Sequence, residues 1–310
     1  LVAFWGLETS FGRNFGRYNV LESMATLAFD NRRRDFFKDE LIIALRLLET
    51  QHLMRDVMVG SWAGAMGNMQ FMPSTLIKHA VDGDGDGKVD VWNSLPDAFS
   101  SAGHFLKELG WKRGKRWGRE VILPKNFDYK HALSHKNMQP SSLWRNLGVK
   151  LTDGTKVADS DRMAAVFAPL GSKGPAFLLY DNFYVIMKWN NSTAYALSVG
   201  ILADRLVNRS ALKTPFVSGE LLSFIEIKEL QQFLKYKEYY EGKIDGIIGT
   251  KMKRATYEYQ KDKKLKVVDG FPDAETYMAA FGSWRGFDGI TLRKKNAKKS
   301  DEIERKSKAG

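Results

Sequence analysis

The strongest constraint on the fold is an apolar repeat at helical spacing. Between Arg34 and Thr50, residues Phe36, Phe37, Leu41, Ile42, Ala44, Leu45 and Leu48 fall on one broad face, the stripe of an amphipathic helix with one side in a core. The pattern returns over 95–109 with Leu95, Ala98, Phe99, Ala102, Phe105, Leu106 and Leu109, and Gly110 stops it. Two more helices are expected at 176–188 and 192–207, the second with Ser192 as its N-cap. Short strands are expected only at 119–123 and 127–129. Residues 1–207 therefore read as one mainly α domain.

Residues 208–222, with Pro215 and Gly219 and little periodicity, read as a linker. A small domain follows at 223–282, with helices at 226–236, 249–262 and 273–281 and two turns, Asp245-Gly246 and Asp269-Gly270. Residues 283–310 form a basic tail. From Arg293 on it carries eight Lys and Arg against three acidic residues, a composition that favours a solvated segment over a packed one.

The chain of 310 residues has no Cys, which excludes disulfides, thiolate nucleophiles and zinc–thiolate sites. No run is long and apolar enough to span a bilayer. The chain begins at Leu1 inside an apolar helical pattern, so further sequence is expected upstream, and any membrane anchor would lie there. A formal charge of +12 favours an anionic partner. Nucleic acid is the weakest such reading, because no recognition motif accompanies the charge.

Four segments have the composition of a site. In Phe4-Trp5-Gly6-Leu7-Glu8-Thr9-Ser10-Phe11-Gly12 a carboxylate ends a short apolar helix. Burial there raises its pKa, as a general acid near neutral pH requires. Gly12 and Gly16 would turn the chain away and leave the carboxyl facing a cleft. Taken alone, this segment favours the simpler reading in which Glu8 caps or pairs within a helix.

The second segment runs Gly60-Ser-Trp-Ala-Gly-Ala-Met-Gly67, then Asn68-Met-Gln-Phe-Met-Pro-Ser74. It suits close backbone approach and lacks the Lys-Ser/Thr of a phosphate loop. Trp62, Met69, Phe71 and Met72 are candidates for an apolar wall against a sugar ring, with Ser61 and Gln70 as hydrogen-bonding groups. A tightly packed turn is the competing reading. Third, Asp82, Asp84, Asp86 and Asp90 occupy positions 1, 3, 5 and 9 of an EF-hand-like calcium loop, with Gly87 at 6 and Lys88 offering a carbonyl at 7. Asn93 stands at position 12 in place of the bidentate Glu, so Asp97 is the candidate last ligand of a structural Ca2+. The fourth segment, Lys188-Trp-Asn190-Asn-Ser-Thr-Ala-Tyr195-Ala, places Asn190 and Tyr195 at a helix start.

Taken in this order, the four segments resemble the lytic murein transglycosylase B family over roughly residues 1–207. The resemblance implies a lysozyme-like catalytic domain with an EF-hand-like site, and cleavage of the β-1,4 bond between N-acetylmuramic acid and N-acetylglucosamine in peptidoglycan. Glu8 falls on the catalytic Glu, and Ser61, Gln70, Asn190 and Tyr195 fall on cleft residues. Asn68 stands where relatives often carry Gln. Trp189 stands where many carry Tyr, so the hydroxyl contact expected there is lost. The family also has a helical portion before the segment that matches Trp5-Gly-Leu-Glu8, which the sequence from Leu1 does not include, so part of the cleft wall is expected to come from upstream.

Residues 223–282 resemble a three-helix peptidoglycan-binding module, carried by Leu230-Gln231, Tyr239-Tyr240-x-Gly242-Lys-Ile-Asp245-Gly246, Tyr259-Gln260 and Asp269-Gly270. Lys253-Arg254 replaces the module's usual Thr-Arg. The expectation is a monomeric, envelope-located enzyme, periplasmic or associated with the outer membrane. No second acidic residue stands in the glycine-rich or Asn-rich segments, so Glu8 would serve as both acid and base in a reaction leaving 1,6-anhydromuramic acid ends. A hydrolytic muramidase on the same scaffold, or a non-catalytic wall-binding protein, are the alternatives.

Overall fold

The computed structural model describes residues 1–50, 55–216, 221–285 and 291–293. The basic segment from 294 on and Gly219 of the expected linker lie outside the described residues.

In chain order the elements are α1 (Val2–Thr9), β1 (Tyr18–Asn19), α2 (Val20–Phe29), α3 (Arg34–Thr50), β2 (Val59–Gly60), α4 (Pro73–His79), α5 (Leu95–Glu108) and β3 (Gly118–Ile122). Then come β4 (Gln139–Pro140), α6 (Ser141–Asn146), β5 (Lys150–Leu151), β6 (Met163–Phe167), β7 (Ala176–Leu179), α7 (Asp181–Trp189) and α8 (Thr193–Leu206). The last are α9 (Phe224–Tyr236), α10 (Thr250–Asp262), α11 (Ala274–Phe281), β8 (Ser283–Arg285) and β9 (Thr291–Arg293). Among the described residues, no helix is long and apolar enough to cross a membrane.

The chain forms two compact units. One holds Leu1–Trp117 and Asp181–Ala211, the other Gly118–Tyr180 and the described residues from Leu212 on. In the first, α1 and α7 both pack on α8, and α2, α3, α4 and α5 pack successively. Their apolar stripes meet in a core containing Phe4, Met24, Leu47, Met66, Met69, Leu76 and Phe183, all buried. Boundaries follow local chemistry. Ser192 Oγ accepts from the Tyr195 N–H to start α8, and Ser94 Oγ accepts from the Asp97 N–H to start α5.

The second unit corrects two expectations. Residues 176–179 form strand β7, and the helix starts only at Asp181; the four β7 residues are buried on both faces. A short fully apolar run does not separate strand from helix by periodicity. Residues 127–129 form no strand, because Asp128 caps a 3-10 turn over Tyr129–Ala132. The sheet is antiparallel, ordered β4-β6-β7-β3-β5, with Val166 opposite Leu178 and Arg119 opposite Leu178 across the two flanks of β7. Trp144, Val149, Val166 and Leu178 fill the core beside it, and the Trp144 indole donates to the Ala164 carbonyl at 2.9 Å.

Helices α9, α10 and α11 carry a repeated device. Gln231, fully buried, accepts from the N–H groups of Asp245 and Gly246 at 2.9 and 2.8 Å. Gln260, also buried, accepts from those of Asp269 and Gly270 at 3.0 and 2.8 Å. Each Asp-Gly turn bends through a glycine at φ +74° or +73°, a conformation costly for side chains with a Cβ. A glutamine amide has an acceptor and two donors on one plane, so one buried side chain satisfies a whole turn. This explains why a Gln lies about fifteen and ten residues before the respective Gly.

These helices also bind the rest of their unit. Lys253, buried in α10, donates to the carbonyls of Ala168 and Pro169 at 2.9 and 2.7 Å. Burial brings its ammonium down to about 8, against the pull of Asp269. Asp269 accepts from the backbone and hydroxyl of Ser172, and Tyr257 donates to Asp128 at 2.7 Å. Before α9, the N–H groups of Lys213 and Thr214 donate to Glu120, and Phe216 stacks on Phe177. The segment expected as a linker is thus tied down in its described part.

Candidate active site around Glu8

Glu8 stands near the C-terminal end of α1. The helix stops because Ser10, Phe11 and Gly12 all adopt positive φ, at 51°, 60° and 78°. The turn therefore begins two residues before the glycine singled out in the sequence. The second glycine matters through space: a Cβ on Gly16 would lie 2.0 Å from the Gly60 carbonyl oxygen. That close approach lets the chain pair β1 with β2, Tyr18 opposite Gly60.

The carboxyl group is held unevenly. Tyr195 O–H and Trp189 Nε1–H both donate to Oε1, the indole at 3.1 Å. Among the described residues, no hydrogen bond engages Oε2. Burial raises the Glu8 pKa above the ordinary carboxylate range, and the Tyr195 and Trp189 donors only partly offset it. The Tyr195 phenol is pushed up by burial and by Glu8, so it remains a proton donor. No charged neighbour is among the causes of the Glu8 shift.

Trp189 revises a sequence expectation. In place of any tyrosine hydroxyl, the Trp189 indole N–H supplies a polar contact of its own, on the Glu8 carboxylate. The ring is clamped by Phe4, Phe71 and Phe105, with centroids 4.7, 5.7 and 5.1 Å away. The donor is therefore fixed by packing, although nothing in the Trp189-Asn190 dipeptide itself signals it.

The glycine-rich segment is a tight turn. Met66 bridges back to both Gly60 and Phe71, Gly64 and Gly67 have φ of 81° and 64°, and Gln70 has φ 50°. A Cβ on Gly67 would lie 2.7 Å from the Val91 carbonyl oxygen. Ser61 Oγ accepts from the Ala65 N–H at 3.1 Å. Gln70 Nε2 donates to the carbonyls of Phe15 and Gly67 at 3.2 and 3.1 Å. Both residues hold the turn, and Gln70 also ties it to the chain leaving α1. Met69 and Phe71 are buried core rather than cleft wall, Met72 is half-buried, and Trp62 alone of the four is open, 65% exposed. Asn190 follows Trp189 with an exposed side chain.

Asn68 is the residue whose role the sequence concealed. It is buried, and its Oδ1 accepts from the Trp5 indole at 2.8 Å. Its Nδ2 donates to the Val91 and Trp92 carbonyls at 3.2 and 2.8 Å. Thr9, next to Glu8, donates its hydroxyl to the Asn68 carbonyl at 3.0 Å. Asn68 thus joins α1 to the end of the acidic loop.

In that loop, one oxygen from each of Asp82, Asp84 and Asp86 lies within 4.8 Å of the others. Asp97 sits apart from this group: it is buried and accepts from the N–H groups of Gly83 and Asp90 at 2.8 and 2.7 Å. Asp90 accepts from the Trp92 and Asn93 N–H groups and the Asn93 amide. These two acids fold the loop onto the start of α5.

Residues 1–204 match the family described as Transglycosylase SLT domain. The chain belongs to that family. Residues 225–279 match a second family, Putative peptidoglycan binding domain. This SLT-family chain is 31% identical over 205 residues to the membrane-bound lytic murein transglycosylase B of Escherichia coli, covering 64% of this chain and 54% of the relative. It thus spans about half the length of that curated relative. Among solved structures, SltB3 from Pseudomonas aeruginosa in complex with NAG-NAM-pentapeptide has a TM-score of 0.82 at 39% identity, covering 89% of this chain and 74% of the other. The Escherichia coli lytic transglycosylase Slt35 in complex with calcium has a TM-score of 0.57 at 29% identity, covering 66% and 64%.

Proposed function

We propose that this chain is a peptidoglycan lytic transglycosylase that cleaves the β-1,4 bond between N-acetylmuramic acid and N-acetylglucosamine, with Glu8 as its single acid and base. The observation that carries the reading is the asymmetric carboxyl group. Two donors on Oε1 leave Oε2 without a hydrogen bond among the described residues, and burial shifts the carboxyl towards the protonated form that a general acid needs. Oε2 would protonate the glycosidic oxygen as the C1–O4 bond breaks. The resulting carboxylate, supported by Tyr195 and Trp189, would then take the proton of the muramyl C6 hydroxyl while O6 bonds to C1. No water is consumed, and Glu8 returns to its starting state. A two-carboxylate glycosidase would need a second acid about 5–10 Å away. The glycine-rich segment 60–74 and the Asn-rich segment 188–196 contain no acidic residue.

Ser61, Gln70 and Asn190 are proposed to line the sugar cleft, with the exposed Trp62 ring as a stacking surface. The proposed division is a catalytic domain at 1–207, a connecting segment at 208–222 and a peptidoglycan-binding domain at 223–282. Asp82, Asp84 and Asp86 have the spacing and oxygen chemistry to hold Ca2+, with the Lys88 carbonyl as a further ligand and Asp90 and Asp97 shaping the loop. The cation would stabilise the fold and take no part in the chemistry. The relatives' names support a place of action in the cell envelope. Mass spectrometry of products from purified sacculi tests the reaction. Ends lighter by one water than a hydrolysis product are expected, and reducing muramic acid ends would overturn it in favour of a muramidase.

A further inference from the structure

Glu8 is held from the end of α7 and the start of α8, by Trp189 and Tyr195. A second set of contacts reaches α1 on a neighbouring face. Trp5 and Thr9 stand one helical turn apart, and Glu8 lies beside them, three residues after Trp5. Both of these flanking residues end on Asn68. The Trp5 indole donates to its Oδ1 at 2.8 Å, and the Thr9 hydroxyl donates to its carbonyl at 3.0 Å. Thr9 Oγ1 also accepts from the Gly12 N–H at 3.1 Å, so the same contact extends to the turn that ends α1.

Asn68 is itself anchored. It is buried, its amide donates to the Val91 and Trp92 carbonyls, and its backbone N–H donates to the Val91 carbonyl at 2.9 Å. The Trp92 indole in turn donates to the Val59 carbonyl at 2.9 Å. The Trp5 ring meets Phe11 and Phe99 edge to face, with centroids 5.6 and 5.5 Å away. The contact leaves little space: a Cβ on Gly12 would lie 3.1 Å from Asn68 Oδ1 and 3.3 Å from the Trp5 ring.

Two attachments one turn apart fix the rotation of α1 about its own axis, which a single attachment would leave free. The Glu8 carboxyl stands about 5 Å from that axis, so a rotation of about 10° moves it about 1 Å. A misplacement of that size can cost about 10²-fold in rate. We propose that Asn68 is a positioning residue for the reaction: it sets the rotation of α1 and thereby the place of the Glu8 carboxyl against Tyr195 and Trp189. The proposal rests on Glu8 as the acid and base, and gives Asn68 a part in turnover beyond holding the fold together.

The test measures kcat, KM and the pH–rate profile of the full chain on a soluble tetrasaccharide of alternating N-acetylglucosamine and N-acetylmuramic acid, well below the melting temperature of each variant. Asn68→Ala removes the amide, and Trp5→Phe keeps a packed ring while removing only the indole donor. Both should lower kcat about tenfold or more with KM little changed. The alkaline limb should move up in both, because the Tyr195 and Trp189 bonds that hold the Glu8 pKa down are loosened. With Tyr195→Phe already present, Trp5→Phe should move that limb less. Thr9→Val should follow Trp5→Phe, while Thr9→Ser, which keeps the hydroxyl, should stay near the parent. Leu47→Ala truncates a buried core residue of α3 and should melt lower with parental kcat. An equal kcat loss in Leu47→Ala, or parental kcat with an unmoved limb in folded Trp5→Phe, would overturn the proposal. Glu8→Gln is assayed alongside. If it is inactive while Asn68→Ala and Trp5→Phe turn over like the parent, the positioning role is rejected and the Glu8 reading stands; turnover by Glu8→Gln rejects both.

Discussion

Replacing Asn68 with Ala is expected to destabilise the first unit by about 3 kcal/mol. The side chain makes three hydrogen bonds, one from the Trp5 indole and two to the Val91 and Trp92 carbonyls. Each contributes about 1 kcal/mol net. The Val91 carbonyl keeps a partner, because the Asn68 backbone N–H donates to it at 2.9 Å. Trp92 O and the Trp5 indole do not, and stranded buried groups are where the cost concentrates. For a unit of about 150 residues, 3 kcal/mol corresponds to roughly 6–12 °C in Tm. Scanning calorimetry and urea unfolding measure it directly. Trp5→Phe removes one of the same bonds, so a double-mutant cycle should show a coupling of about 1 kcal/mol between the two positions. A loss below about 1 kcal/mol for Asn68→Ala, or strict additivity with Trp5→Phe, would refute the hub.

Three further outcomes follow from the site. Tyr195→Phe removes a donor that holds the Glu8 pKa down, so the alkaline limb of the pH–rate profile should move up; a limb that stays or falls would contradict the hydrogen bond's role. Because the folded Glu8 pKa is raised, its contribution to stability is present below the unfolded carboxylate value and lost as pH rises through the folded one. Glu8→Gln should therefore melt higher than the parent at neutral pH, with the difference closing below about pH 4. Added Ca2+ at about 100 times its Kd should stabilise the parent by about 2.7 kcal/mol, and Asp84→Asn should abolish most of that gain in thermal melts.

Amphipathic helices such as α3 and α5 were legible because a single buried face leaves a periodic trace. Strand β7 was not, since Ala176–Leu179 is buried throughout and has no alternation to display. Glu8 and Tyr195 stand in motifs, and the structure joins them by a direct hydrogen bond. Trp189 and Asn68 eluded the same reading for a physical reason. Their partners lie 181 and 63 residues away, and an indole or amide becomes a positioning group only through what the fold places opposite it. The acidic loop shows the reverse limit: spacing located the carboxylates, but Asp97 turns both oxygens to backbone N–H groups, which spacing does not reveal.

The account depends most on Glu8 supplying both proton transfers. Turnover of purified sacculi by Glu8→Gln, with sacculus binding measured in parallel, tests it most directly. Gln keeps the shape and the Oε1 acceptor but carries no transferable acid proton, so kcat should fall by about 10³-fold or more while binding persists. Retention of a tenth or more of parental turnover by that folded, binding-competent variant would contradict the assignment.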